Sequence, residues 1–259
     1  MKKHVPNTLT CCNLICGCIA THFALQAQLD MALFFIIAGA VFDFFDGFAA
    51  RLLHVSSPLG KELDSLADDI TFGFAPAAIV FTLLRALFPT TACSAGTCPV
   101  AGLIPYAAFL IAAFSALRLA KFNLDERQST SFIGLPTPAN ALFWGALGVH
   151  LQHSDLMQSS WMPAALLVGI ALSCWVLIAE IPMFALKFKH WGWQGNQLRY
   201  SFIIISAVIV IGSIVMSAVN GSNLPSDLFM GFLRPWWIVI MLYLVLSIVK
   251  DLALQESKQ

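Results

Sequence analysis

Apolar residues gather into long stretches separated by short polar joints. The stretches fall at about 9–27, 31–53, 66–88, 100–121, 137–152, 161–186, 200–220 and 231–250. A helix needs ~20 apolar residues to cross ~30 Å of hydrocarbon, so the pattern predicts an all-α, polytopic membrane bundle of about eight transmembrane helices. The fifth stretch is short and can extend back through the Pro136–Pro138 corner. Asp30, just before the second, is expected to cap its helix. No internal repeat or low-complexity run interrupts the chain, which reads as a single integral membrane domain over 1–259.

Composition agrees, with 59% hydrophobic and 11% charged residues, more apolar surface than a soluble domain of 259 residues can use. Formal net charge is zero, and no nucleic acid partner is expected. The start, MKKHVPNTLT, lacks a small-residue cleavage site behind a compact apolar core, so the N-terminus is expected to be retained. Of the 14 lysines and arginines, all but Arg85 and Arg234 fall in joints on one side of the predicted spans. The positive-inside rule makes that side cytoplasmic, with both termini on it, in a multi-pass protein of the cell inner membrane. Cys93 and Cys98 lie in the outer joint 89–99, where they are as consistent with a disulfide as with two free thiols. Cys11, Cys12, Cys16, Cys18 and Cys174 fall inside apolar spans without histidine partners and read as packing residues. The run Lys187–Arg199, KFKHWGWQGNQLR, is basic and aromatic, suited to lying on anionic headgroups.

One stretch departs from this uncharged background. Phe42–Asp69 holds five aspartates, a glutamate, an arginine and a lysine. Asp43 and Asp46 are three residues apart, Asp64 and Asp68 four, and on a helix either spacing stacks both carboxylates on one face. Between the pairs, the run Ser56–Gly60 is expected to turn the chain back, forming a helical hairpin with both pairs at its mouth. Four close carboxylates repel one another unless cations sit between them, and oxygen-only ligands suit hard divalent ions. Carboxylates at membrane depth are expensive and point to function. Glu62 and Asp69 read as solvated residues instead.

The order Asp46-Gly47, Ala50-Arg51, Gly60, Asp64, Asp68, with Asp43 three residues upstream, matches D-G-x2-A-R-x8-G-x3-D-x3-D. In this it resembles the CDP-alcohol phosphotransferase family. The resemblance implies a six-helix membrane core, about 1–190, that cleaves the pyrophosphate of a CDP-linked substrate and releases CMP. Residues of about 191–259 would add two further helices. It also implies a homodimer and divalent cations, Mg²⁺ or Mn²⁺, two to a site. On the family pattern Asp43, Asp46 and Asp64 are metal ligands, and Asp68 completes the ligation and acts as general base. Asn7, Thr10, Gly47, Ala50, Arg51 and Gly60 would surround the CDP-lipid. Arg51 offers a forked donor set to a phosphate, and Gly47 and Gly60 allow close approach.

The segments LRLAKFN (Leu117–Asn123) and FIGLPTPA (Phe132–Ala139) together resemble the bacterial type II phosphatidylserine synthases. This implies CDP-diacylglycerol and L-serine as substrates, with Arg118, Lys121 and Asn123 near the serine. Arg118 and Lys121, at i and i+3, can meet a substrate carboxylate or serve only as positive-inside charges. Two other readings stay open. The acceptor could be glycerol 3-phosphate or an inositol phosphate, which calls for more cations. Alternatively, the carboxylates could line the path of a divalent-cation transporter, which calls for acidic residues spread across several spans; Glu180 is the main one outside the hairpin.

Overall fold

Among the described residues, every predicted apolar stretch is mainly helical. The computed structural model describes residues 4–55, 57–88, 101–125, 132–183, 196–220 and 224–256. Helices α1 (His4–Leu25) and α2 (Leu29–Leu52) form an antiparallel pair. The third membrane segment comprises α3 (Pro58–Asp68), one π-helical turn (Asp69–Phe74) and α4 (Ala75–Leu87). A 3-10 stretch (Ala101–Phe109) leads into α5 (Leu110–Leu124), followed by α6 (Thr137–Gln152) and α7 (Met162–Ile178). Last come α8 (Gln197–Asn220), the short α9 (Leu224–Leu233) and α10 (Trp236–Glu256).

Among the described residues, six segments are long and apolar enough to cross a membrane: His4–Leu25, Leu29–Leu52, Pro58–Leu87, Gly102–Leu124, Gln197–Val219 and Pro225–Asp251. Helices α6 and α7, of 16 and 17 residues, complete the eight. The Pro58–Leu87 segment runs through the centre, where Phe72, Ile79 and Leu84 are fully enclosed by side chains such as Ala20, Leu33 and Trp144. Helix α8 instead turns Ile204, Val208, Ile211, Val215 and Val219 outward, as a lipid-facing helix must.

Close packing around the third segment depends on small residues. A Cβ on Gly17 of α1 would collide with Thr71, and one on Gly39 of α2 would lie 2.6 Å from the Thr71 methyl. Glycines at both positions let three helices approach at the level of the π turn. The polar chain Trp144 Nε1 to Ser173 Oγ (3.0 Å) to Asn140 Oδ1 (2.5 Å) ties α6 to α7.

Five expectations need correction. The third helix starts at Pro58 rather than near 66, because its first turns are amphipathic and escape an apolar-run search. Ser57 caps it, accepting from Gly60 N at 3.0 Å, so Gly60 lies within the helix and the reversal falls at Leu53–Val55, with His54 at φ 51°. Asp30 does not cap α2: it sits inside the first turn, where it complements the helix dipole, and Gln28 holds the cap position. The sixth span ends at Ile178 instead of near 186. Beyond it Pro182–Met183 pairs antiparallel with Phe132–Ile133, a two-residue ladder that apolar patterning did not predict. Finally, the last span is broken at Arg234–Pro235, where proline cannot donate to the α9 ladder, so α9 and α10 are separate helices. Cys93 and Cys98 lie outside the described residues.

Candidate active site

The aspartates meet because α2 ends and α3 begins on either side of one tight reversal. Asp43 and Asp46 occupy the last turns of α2, and Asp64 and Asp68 the last turns of α3. One carboxylate oxygen from each of Asp43, Asp64 and Asp68 lies within 4.8 Å of the others. Asp46 stands beside this triad, buried, with the Thr10 hydroxyl of α1 donating to its Oδ2 at 2.5 Å. Asn13, one turn further along α1, donates from Nδ2 to Asp68 Oδ1 at 3.1 Å. Its own backbone carbonyl accepts from Thr71 Oγ1 at 2.9 Å. Helix α1 is thus the third wall of the site.

These residues fit a divalent cation. Three carboxylates of like charge converge from two helices, an arrangement that repulsion opposes unless positive charge is shared among them. Asp64 Oδ1 is buried and has no hydrogen-bond partner, a costly state for an oxygen that no ion coordinates. All-oxygen donors match hard divalent ions.

Two cavities adjoin the cluster. The first, about 250 Å³, lies between α1, the end of α2 and the start of α3; Asn7, Thr10, Asp46, Gly47, Ala50 and Gly60 line it. The second, about 210 Å³, reaches from Asp43 and Asp68 to Arg118, Asn123 and the Pro136–Pro138 corner. Asp64 borders both. A substrate in either cavity can therefore reach Asp64.

The sequence-derived residues sort unevenly between them. A Cβ built on Gly47 meets only Arg51 Nη1, at 3.6 Å, so the backbone is open to close approach from the first cavity. Arg51 itself is exposed, lying back along Gly47 rather than lining that cavity. Arg118 is buried in the second cavity, with Nη1 3.5 Å from Thr137 Oγ1 and its guanidinium 5.3 Å from the Phe122 ring centroid. Lys121 is exposed and absent from that lining; it joins Arg118 only in a neighbouring cavity that also holds Asp125 and Glu180. The two therefore share that neighbouring cavity, while only Arg118 lines the one beside the aspartates. Asn123 donates to Ser65 Oγ at 2.7 Å, and its carbonyl accepts from Lys61 Nζ at 3.0 Å, fastening α5 to α3.

Sequence reasoning passed over Asn13, Ser65 and Thr137. Asn13 did carry a signal, being a fully buried amide within a membrane helix, where polar side chains persist for a reason. Ser65 and Thr137 carried none, since small hydroxyl residues are common in such helices.

Sequence similarity to known proteins covers the part of the chain that holds both cavities. The sequence profile of the CDP-alcohol phosphatidyltransferase family matches residues 3–191, which include every residue of both cavities. Among curated relatives, the CDP-diacylglycerol–serine O-phosphatidyltransferase of Bacillus subtilis (strain 168) is 33% identical over 188 residues, covering 73% of this chain and 91% of its own length. Proteins of the same name from Mycobacterium leprae (strain TN) and Helicobacter pylori (strain ATCC 700392 / 26695) are 33% and 36% identical. Those matches cover 69% and 53% of this chain, and 57% and 54% of the relatives' own lengths. With a profile match over well over half of its residues, ending just before α8, the chain belongs to the CDP-alcohol phosphatidyltransferase family.

Proposed function

We propose that this chain transfers the phosphatidyl group of CDP-diacylglycerol to the hydroxyl of L-serine, giving phosphatidylserine and CMP. The observation that carries the reading is the shared wall: one carboxylate cluster separates two cavities, and Asp64 belongs to both. The first cavity, with the open backbone at Gly47, takes the CDP moiety, with Asn7, Thr10, Ala50 and Gly60 around it and Arg51 at its edge. The second, with the buried Arg118, takes the amino acid, whose carboxylate pairs with the guanidinium.

Asp43, Asp46, Asp64 and Asp68 are the residues that would hold a pair of divalent cations, Mg²⁺ or Mn²⁺. Bound there, such ions neutralise pyrophosphate charge and stabilise the departing CMP oxygen. Asp68, oriented by Asn13 and facing the second cavity, accepts the proton of the serine hydroxyl. The serine oxygen then forms a bond to the lipid-side phosphorus in line with the bond to the CMP oxygen, which breaks, and CMP leaves with that electron pair. Neither cavity presents a cysteine or histidine nucleophile among the described residues, which favours one direct displacement over a covalent enzyme intermediate.

The chain works as a multi-pass membrane protein, and we place the catalytic end at the cytoplasmic face of the inner membrane, as a homodimer. Residues 1–190 form the catalytic core and 191–259 an addition to it. The test is CMP release from CDP-diacylglycerol by purified protein, with L-serine, glycerol 3-phosphate or an inositol phosphate as acceptor, with and without chelator. Release with serine alone, abolished by chelator and restored by Mg²⁺ or Mn²⁺, is the expected result. Equal release with either phosphorylated acceptor would overturn the choice of serine. Replacing Asp68 with Asn should leave CDP-diacylglycerol bound and cut turnover by ~10²–10⁴-fold, the usual contribution of a positioned base.

A further inference from the structure

Arg234 is one of two basic residues that the positive-inside pattern leaves unexplained, and its surroundings are built. It occupies the joint between α9 and α10, in a cavity of about 400 Å³ that it shares with His150, Ser213, Ser217 and Trp237. The cavity belongs to the end of the bundle opposite the aspartates. His150 is thirteen residues along α6 from Thr137, ~20 Å at the helical rise. An arginine kept only as a topology charge extends its head into water. Here Nε is buried and has no hydrogen-bond partner. The N-terminal end of α10 opens at Trp236, two residues on, and contributes the positive end of a helix dipole. Among the described residues no carboxylate lines the cavity, so guanidinium, imidazole, two hydroxyls and a helix N-terminus stand without a compensating anion.

We propose that this cavity binds the phosphate of an anionic lipid headgroup in the leaflet opposite the catalytic one. A phosphodiester supplies acceptor oxygens for Arg234 Nε and the two serines. A lipid, rather than a soluble phosphate, follows from the walls: Met216 and Ile238 line the same cavity and are exposed, and α8 continues from it as a lipid-facing apolar surface through Val208 and Ile211. Acyl chains can lie along that surface while the headgroup sits at Arg234. The headgroup should carry net negative charge, because the quaternary ammonium of a choline lipid finds no carboxylate here. Apart from His150, its lining lies outside residues 3–191, and it shares no residue with either catalytic cavity, so the proposal is independent of the catalytic reading.

The test is native mass spectrometry of the delipidated, purified full chain, titrated separately with phosphatidylglycerol, phosphatidylcholine and inorganic phosphate. Wild-type protein should retain one phosphatidylglycerol with about tenfold preference over phosphatidylcholine, because both offer the phosphodiester but only phosphatidylcholine brings a trimethylammonium near Arg234 with no carboxylate to meet it. Arg234→Gln should lose that preference and Arg234→Lys keep most of it, with CMP release unchanged in both. Should Arg234→Gln fail to fold, the double variant Ser213→Ala/Ser217→Ala is the second probe, with phosphatidylglycerol retention expected severalfold below wild type. Three outcomes would overturn the proposal. Equal retention of both lipids would mean nonspecific annular binding. Competition by inorganic phosphate as effective as by lipid would mean a soluble anion. An unaltered preference in well-folded Arg234→Gln would put the site elsewhere.

Discussion

A carboxylate that takes a proton from a substrate hydroxyl must be held still, and Asp68 is held by an amide from another helix. Asn13 Nδ2 donates to Asp68 Oδ1, and Asn13 is itself pinned by Thr71. Replacing Asn13 with Ala should leave the protein folded and its serine KM within about twofold, while kcat falls about tenfold, the worth of one hydrogen bond to a charged group. A larger change in KM than in kcat would mean that Asn13 shapes the cavity rather than positioning the base. Arg118 and Lys121 offer a second comparison. Arg118→Ala should raise the KM for serine ~10–100-fold, the loss of a buried charge-assisted pair, and affect CDP-diacylglycerol far less. Lys121→Ala should stay near wild type, because Lys121 is exposed and outside the acceptor cavity. Equal effects of the two substitutions would restore the pairing that i, i+3 spacing suggested. The four aspartates were legible in the sequence because charge is conspicuous against an apolar background. Asn13 showed only as a polar residue in an apolar helix, and Thr137 not at all, since their roles depend on which helices become neighbours.

At the scale of elements, apolar patterning located the membrane segments but not what bends, ends or joins them. The π turn at Asp69–Phe74 begins at the residue after Asp68, so α3 can aim its carboxylates at the site while α4 runs through the core. One extra residue per turn leaves no mark in an apolar sequence, although such turns gather at functional sites. The Phe132–Leu135 crossing over the end of α7 was equally hidden. Gly134 adopts φ 75°, Gly134 N donates to Ile181 O at 2.9 Å, and Leu135 N donates to Val176 O at 3.1 Å, one of the carbonyls that the helix end leaves open. A Cβ at 134 would stand 2.8 Å from Leu177 O and 3.0 Å from Ala179 O. Gly134→Ala therefore combines left-handed strain with a carbonyl clash and should cost about 1–3 kcal/mol, read as a lower midpoint of thermal unfolding in detergent. The same crossing positions Pro136–Pro138 in the acceptor cavity, so serine KM should rise in this variant while CDP-diacylglycerol binding holds. Unaltered stability would show that the segment can leave α7 without consequence.

For the molecule as a whole, the question is which face of the membrane meets water-soluble serine and CMP. Helix α6 runs from Thr137 in the acceptor cavity to Gln152 at the far end, and the Asp155–Gln158 turn follows there. The catalytic end carries Arg51, Lys61, Arg118 and Lys121, whereas Arg234 stands at the far one. That asymmetry is what the positive-inside rule reads, and on that rule the aspartate cluster is expected to face the cytoplasm. Glu62 and Gln158 are exposed at opposite ends, so single cysteines introduced there report the orientation directly. A membrane-impermeant maleimide should modify Glu62→Cys in inverted vesicles and Gln158→Cys in right-side-out spheroplasts, each against the labelling of the wild-type cysteines. The reverse pattern would leave the chemistry intact but move its substrates across the membrane. In that arrangement a polar amino acid and a nucleotide would have to be delivered outside the cell, where the Asp64 cluster would face an unsupplied compartment. Placement of both cavities at the inner face, as proposed, would remove that demand: the CDP-lipid would stay in its leaflet, serine would arrive from the cytosol, and CMP would return to it.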